Sequence, residues 1–271
     1  MSKKKIRITP IIGTILAIVW IFPFYLMVSN SLKTKREIFT NTLGTPKDLT
    51  FENYPQAFEN LDFVRTFFNS LLITVVSVVF IVLLSSLASY ALQRVKSKIS
   101  GILFMLFVAA MLIPFQSVMI PLVTIFGKVN QLNMGGLIFM YIGFGSSMSI
   151  FLYHGAMKAI PKSLDEAAII DGASRWQIFR YVIFPMLKPT TVTVALLNTM
   201  WIWNDYLLPS LVVNKEGTQT IPLKMFFFFG EYTKQWHLAL AGLVIAIIPV
   251  IIFYFIMQKQ IIAGVSDGAV K

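Results

Sequence analysis

The sequence of 271 residues contains no cysteine, which excludes a disulfide framework, a thiolate nucleophile and a cysteine-ligated metal and leaves the redox compartment undetermined. Charge is scarce too. Only 13% of residues are charged and 56% are hydrophobic, whereas an average soluble chain carries about 25% charge. With a mean hydropathy of +0.74, the length counts membrane spans rather than soluble domains. Acidic residues are the scarcer sign, 12 against 23 Lys and Arg, for a net charge of +11. That excess would suit nucleic acid, but the basic residues lie in short clusters between apolar runs. The anionic inner face of a bilayer is therefore the expected counterpart, and nucleic acid is not. Also missing is a G-x-x-x-x-G-K-[ST] phosphate loop: Gly127–Lys128 lacks both the earlier glycine and the hydroxyl residue, so this chain alone is not expected to hydrolyse ATP.

What is present is a set of long apolar runs. A helix crossing about 30 Å of hydrocarbon needs roughly 20 residues, and six runs qualify: Ile11–Leu32, Phe67–Leu92, Gly101–Phe126, Leu132–Met157, Pro189–Val213 and Leu238–Gln258. The first is too long for a cleavable signal peptide and leads into basic residues, so it is read as a retained span. An N-terminus placed inside puts 14 Lys and Arg in the cytoplasm and nine outside, the bias of a chain with both termini cytoplasmic. The expectation is an all-α polytopic membrane protein. Residues 1–10 form a cytoplasmic segment, 11–32 the first span, 33–66 an extracytoplasmic loop, 67–258 a five-helix core with a cytoplasmic loop at 158–188, and 259–271 a cytoplasmic tail. Long ordered loops tend to be functional. The loop at 33–66 is either an outer cap or docking surface or a solvated connector, and Met225–Phe229 is too short to span and suits the outer interface.

The loop at 158–188 carries two helix-start signals. Ser163 with Glu166, and Ser174 with Gln177, both have the spacing of a capping box. A short helix is expected from Ser163 to a stop at Gly172, and a second from Ser174 until Pro185. The resulting hairpin offers Ala167 and Ala168 for close backbone approach, with Glu166 and Asp171 adding charge. That surface suits docking; an amphipathic element on the lipid surface is the other reading, and Glu166 as no more than a capping partner is a third.

Polar residues inside spans usually face a bundle interior or a water-filled path. Asn198, Trp201, Trp203, Asn204, Asp205 and Tyr206 are the candidates for a substrate path, offering hydrogen bonds and aromatic faces rather than a cluster of charges. Equally open is a reading in which Trp203 and Tyr206 anchor at the interface and Asp205 bonds a broken helix end near Pro209. Pro114 and Pro121 are expected to kink the third span. The glycines and serines of 135–149 suit close helix contact, and a lone His154 is weak evidence for a metal or proton relay.

Glu166–Ala167–Ala168, Gly172, Val182, Phe184 and Pro185 together resemble the EAA loop of the membrane subunits of binding-protein-dependent ABC importers. The family's usual pattern has Ile at Val182 and Leu at Phe184, both conservative changes. Ile113–Pro114–Phe115 with Ile120–Pro121, Ile170–Asp171–Gly172–Ala173, Trp203–Asn204–Asp205 and Gly268–Ala269–Val270–Lys271 are similar to the carbohydrate branch, the maltose-type and glycerol-phosphate-type permeases, over nearly the whole chain. The resemblance implies a coupling helix in which Glu166, Ala167, Ala168, Asp171, Gly172 and Pro185 meet a cytoplasmic ATPase, with Gly268 to Lys271 reaching the same partner. It further implies a second permease subunit in a heterodimer, two copies of the ATP-binding subunit using ATP and Mg, an extracytoplasmic solute-binding protein, and a prokaryotic cell membrane. This chain itself would bind no cofactor and no metal and would catalyse nothing. Two other classes are a secondary transporter driven by an ion gradient, which needs buried carboxylates where only Asp205 lies in a span, and a membrane scaffold, which does not require the loop spacing.

Overall fold

Every long apolar run folds into helix, and no strand occurs among the described residues. The computed structural model describes residues 8–95, 97–229 and 234–269. The expectations for residues 1–7, and for Val270 and Lys271, lie outside these. The elements run α1 (Ile8–Ser31), α2 (Lys35–Thr40), α3 (Asn53–Asn60), α4 (Phe63–Arg94), α5 (Lys98–Met111), α6 (Phe115–Lys128), α7 (Met134–Lys158) and α8 (Ser163–Ile170). There follow α9 (Arg175–Gln177), a π-helical turn (Ile178–Ile183), α10 (Phe184–Met186), α11 (Lys188–Asn204), α12 (Leu207–Val212), α13 (Ile221–Met225), a 3₁₀ turn (Phe226–Phe229) and α14 (Trp236–Ala269). The last helix thus continues through Gly268 and Ala269, so the expected tail at 259–271 begins as helix.

Four helices are unbroken and apolar enough to cross a membrane: α1, α4, α7 and α14. Two bent pairs are together long and apolar enough to bring the number of crossings up to the expected six: α5 with α6 at 101°, and the stretch 175–186 with α11 at 76°. Pro114 stands at the N-cap of α6 with extended backbone and makes the first break. Pro121 does not end the helix and lies inside α6; a proline removes one ladder bond, which a helix tolerates when neighbouring groups re-satisfy the backbone. The expected run 189–213 is divided at Asp205 into α11 and α12.

The chain forms two compact units, one of residues up to Val64 with Lys224–Ile252, the other of Arg65–Leu223 with Phe253 onward. In the first, the loop after α1 is a folded cap rather than a solvated connector. Lys33 is fully buried, and its ammonium donates to the carbonyls of Asn41 (2.6 Å) and Gly44 (2.7 Å) and to Asn30 Oδ1 (3.0 Å). Burial pushes Lys33 below the usual lysine range, and the Glu37 carboxylate opposes that shift. Asn53 Nδ2 donates to the carbonyls of Ser31 and Lys33, tying α3 to the end of α1. Of the short run at 225–229, Phe226 and Phe227 are exposed and Phe228 is buried.

The second unit has an apolar core, and small hydroxyl residues are buried beside it. The buried stripe of α4 includes Thr66, Ser70, Thr74, Ser77, Ser85, Ser86 and Ser89 as well as Ile73, Val78 and Ile81, while Val75, Val79, Phe80, Leu83 and Leu84 are exposed. Lipid gains nothing from hydroxyls, so small polar residues face other helices and let backbones approach. Ser89 Oγ donates across to the Ile150 carbonyl of α7 at 3.1 Å. On α7, Gly145 has so little room that an added β-carbon would lie 2.5 Å from both Asn198 Oδ1 and Ile81 Cδ1. His154 stacks on Phe104 of α5 at 3.9 Å between ring centres, and the described residues contain no cluster of His, Asp or Glu that could hold a metal.

Candidate functional site

The loop after α7 is a helical hairpin, as its sequence implies, but its first helix starts by a different device. Lys162, not Ser163, is the N-cap, with no side-chain cap bond. The Lys162 carbonyl accepts the N–H groups of Asp165 (3.0 Å) and Glu166 (3.1 Å), leaving no place for the expected Ser163–Glu166 box. Glu166 is consequently released to the surface instead of being spent as a capping partner. At its other end α8 closes as the sequence implies. Gly172 takes φ +82°, Ala173 N–H donates to the Ala168 carbonyl and Gly172 N–H to that of Ile169, the bond pair of a Schellman stop.

The second limb begins with the expected box: Ser174 Oγ accepts from Gln177 N–H, and Gln177 Oε1 accepts from Ser174 N–H at 2.8 Å. It does not stop at Pro185. Phe184 N–H bonds the Phe179 carbonyl, five residues back; this wider turn carries the helix past the proline, which lacks the N–H a tight ladder needs. The limb runs to Met186, and the chain turns at Leu187. Inside, Ile178, Phe179, Ile183 and Leu187 are buried. Outside, Glu166, Ala167, Asp171, Gly172 and Pro185 are exposed, together with Ile169, Trp176 and Ile170, the last 85% exposed. Ala168 packs inward against the core. The hairpin thus has a buried apolar inside and a broad exposed outer face that mixes carboxylates, isoleucines and an alanine.

Four side chains, Tyr90, Arg94, Lys162 and Asp165, join this hairpin to the end of α4. Asp165 is the single buried residue of α8, 8% exposed. Its Oδ1 accepts from Tyr90 Oη at 2.9 Å and its Oδ2 pairs with Arg94 Nη2 at 2.8 Å. Arg94 also donates to the Ile160 carbonyl, and Lys162 Nζ reaches the Arg94 carbonyl at the end of α4. The available signal was a carboxylate beside Glu166 and a cation ending the second run; nothing in the spacing paired them.

The six substrate-path candidates do not form one group. Asn198 is buried, and its Nδ2 donates to Ser149 Oγ (3.1 Å) and to the Val194 carbonyl (2.8 Å), joining α11 to α7. Asp205 caps a break: Oδ1 accepts from Leu207 N–H and Oδ2 from Tyr141 Oη, both at 2.9 Å. Asp205 thus bonds a broken helix end at Leu207, two residues before Pro209. Trp203 meets Phe67 edge-on, Trp201 meets Tyr141 edge-on while remaining 42% exposed, and Asn204 is exposed with its Nδ2 on the Met200 carbonyl. Tyr206 packs against the core.

An all-helical chain with four to six candidate spans, small polar residues between helices and an exposed helical hairpin is a polytopic membrane protein. Residues 81–267 match the family described as binding-protein-dependent transport system inner membrane component. The chain is 58% identical to the probable starch degradation products transport system permease protein AmyC of Thermoanaerobacterium thermosulfurigenes, over 96% of this chain and 95% of that protein. It is 38% identical to the multiple sugar-binding transport system permease protein MsmG of Streptococcus mutans, over 95% and 94%. Its fold matches the crystal structure of a bacterial ABC transporter involved in the import of the acidic polysaccharide alginate, with a TM-score of 0.78 at 25% identity over 96% of this chain and 98% of that one. The chain belongs to the family of inner-membrane components of binding-protein-dependent transport systems. It is a permease subunit of an ABC importer, not an enzyme, and ATP hydrolysis resides in a separate subunit.

Proposed function

We propose that this subunit moves a sugar or related polyol compound across a prokaryotic cell membrane by alternating access, with both termini in the cytoplasm. It pairs with a second permease subunit as a heterodimer. Two ATP-binding subunits, which use ATP and Mg, dock from the cytoplasm, and an extracytoplasmic solute-binding protein delivers the substrate. The exposed hairpin between Lys158 and Lys188 carries this reading: Glu166, Ala167, Asp171 and Gly172 lie on its outer face, where a partner's cleft would receive them, while Ala168 and Pro185 shape its two limbs. The domain plan read from the charge pattern, with the loop at 33–66 outside and the loop at 158–188 inside, supports the same side for the ATPase. Gly268 to Lys271 complete the proposed ATPase contact. The sugar is supported by the names of the relatives and by the neutral character of the candidate path. Along that path Trp201 and Asn204 offer exposed surface, and Asn198, Trp203, Asp205 and Tyr206 frame it.

An ion-driven carrier usually needs several buried carboxylates in its spans, whereas Asp205 stands alone among the candidate spans and bonds Tyr141 and a helix start. The test is purification of the chain from its native membrane, followed by uptake in sealed vesicles. An ATPase should co-purify, and uptake should require ATP and survive collapse of the ion gradients. Uptake that continues without ATP and stops with the gradients would overturn the reading.

A further inference from the structure

The hairpin is joined to the end of α4 by contacts of an unusual kind. α8 buries a single residue, and that residue is a carboxylate. A helix held by an apolar stripe can slide or roll by exchanging one methyl contact for another, but a buried carboxylate has few arrangements that satisfy it. Asp165 uses both oxygens on α4: one on Tyr90, one on Arg94. Tyr90 and Arg94 are four residues apart and so share one face of the last turns of α4. Arg94 reaches on to the Ile160 carbonyl, and Lys162 answers at the Arg94 carbonyl, where a cation suits a helix C-terminus. Bonds thus run in both directions between the end of α4 and the start of the hairpin. The second limb meets the same place, because the Tyr90 ring packs on Phe179 of the π turn at 5.6 Å, and Phe179 in turn lies against Trp176 and Phe184. Tyr90 therefore touches both limbs, the first through its hydroxyl and the second through its ring.

We propose that Tyr90, Arg94 and Asp165 are positioning residues that latch the hairpin to α4, so that displacement of its outer face is delivered to α4 as a unit. This rests on the coupling role proposed for the hairpin. Without the latch the hairpin keeps its shape, through the Gly172 stop and the Ser174–Gln177 box, but turns against α4 instead of carrying it.

The test uses the intact transporter, purified with its partner subunits and reconstituted in proteoliposomes, and reads substrate uptake per ATP hydrolysed. Asp165→Asn should leave the ATPase subunit bound and hydrolysing while the ratio falls about tenfold, within the range of measured coupling between sites. Exchanging the charges, Arg94→Asp with Asp165→Arg, should regain most of it. Because the wild-type chain has no cysteine, Arg94→Cys with Asp165→Cys can be bridged by a short bis-methanethiosulfonate; bridging should raise the ratio and reduction should lower it again. An unchanged ratio in Asp165→Asn, loss of the ATPase subunit from that variant, or a bridged protein no better than the reduced one would each overturn the latch. Ile170→Asp, on the outer face and away from the latch, separates the two ideas. If it leaves the ATPase bound and uptake normal, the docking role fails; if it releases the ATPase while Asp165→Asn keeps full coupling, only the latch fails.

Discussion

At Gly145 a β-carbon would lie 2.5 Å from atoms of two different helices, Asn198 Oδ1 on α11 and Ile81 Cδ1 on α4. This glycine is required by space, whereas Gly172 has nothing within 4 Å of its would-be β-carbon and is required by φ +82°. The two therefore fail differently when changed. Gly145→Ala forces α7 away from its neighbours and disturbs the Asn198–Ser149 bond, and overpacking of this kind destabilises by about 1–3 kcal/mol. The expected outcome is a lowered thermal unfolding midpoint of the detergent-solubilised chain, with an unchanged midpoint counting against the close approach. Asp205 shows the reverse lesson. A lone acidic residue in an apolar run drew attention as a site for substrate or coupling ions, and its neighbours show a carboxylate accepting a backbone N–H at a helix break and the hydroxyl of Tyr141.

Among the elements, the cap between α1 and α3 has a distinct pH dependence. Lys47 N–H donates to Glu37 Oε1 at 2.7 Å, and this bond, ahead of the one from Asn41 and with burial opposing, holds the Glu37 carboxyl below 4.5. A carboxyl with a depressed pKa in the folded state binds fewer protons there than in the unfolded chain, so it stabilises the cap above 4.5 and loses that effect as pH falls through the folded value. Proteolysis of residues 41–50 should therefore accelerate in acid, and Glu37→Gln should remove most of the pH dependence; an identical acid profile in that variant would refute the assignment. The helical content of this cap was not legible, because its fold depends on Lys33 finding three oxygens scattered over residues 30–44. The spans were legible, since hydrophobic length is a local property. So were the Gly172 stop and the Ser174–Gln177 box, whose partners lie within a few residues. α8 starts where expected, at Ser163, but its capping was misread because a carbonyl at Lys162 did what the Ser163 side chain was expected to do. Pro114 stands at the break before α6 and Pro121 within the helix, because sequence marks where a ladder bond is missing but not whether the helix ends there. Asp165 was legible only as one of the acidic residues of this loop: its partners are Tyr90 and Arg94, which only the tertiary fold brings near.

At the scale of the whole molecule, the shortage of charge becomes a division of labour. α4 keeps its hydroxyls inward and aliphatic residues outward, which lets small residues face neighbouring helices while lipid meets aliphatic surface. The carboxylates Glu166 and Asp171 remain for the outer face of one hairpin, and Asp165 for its inner side. The central claim is that this hairpin converts the work of a separate ATPase into movement of the permease. The most direct measurement is uptake per ATP hydrolysed by the reconstituted transporter carrying Gly172→Trp, which places a large side chain at the exposed bend and forces an unfavourable φ on it. The expected result is a fully inserted complex that still hydrolyses ATP while uptake per ATP collapses. Uptake per ATP equal to that of the unaltered transporter would contradict the claim.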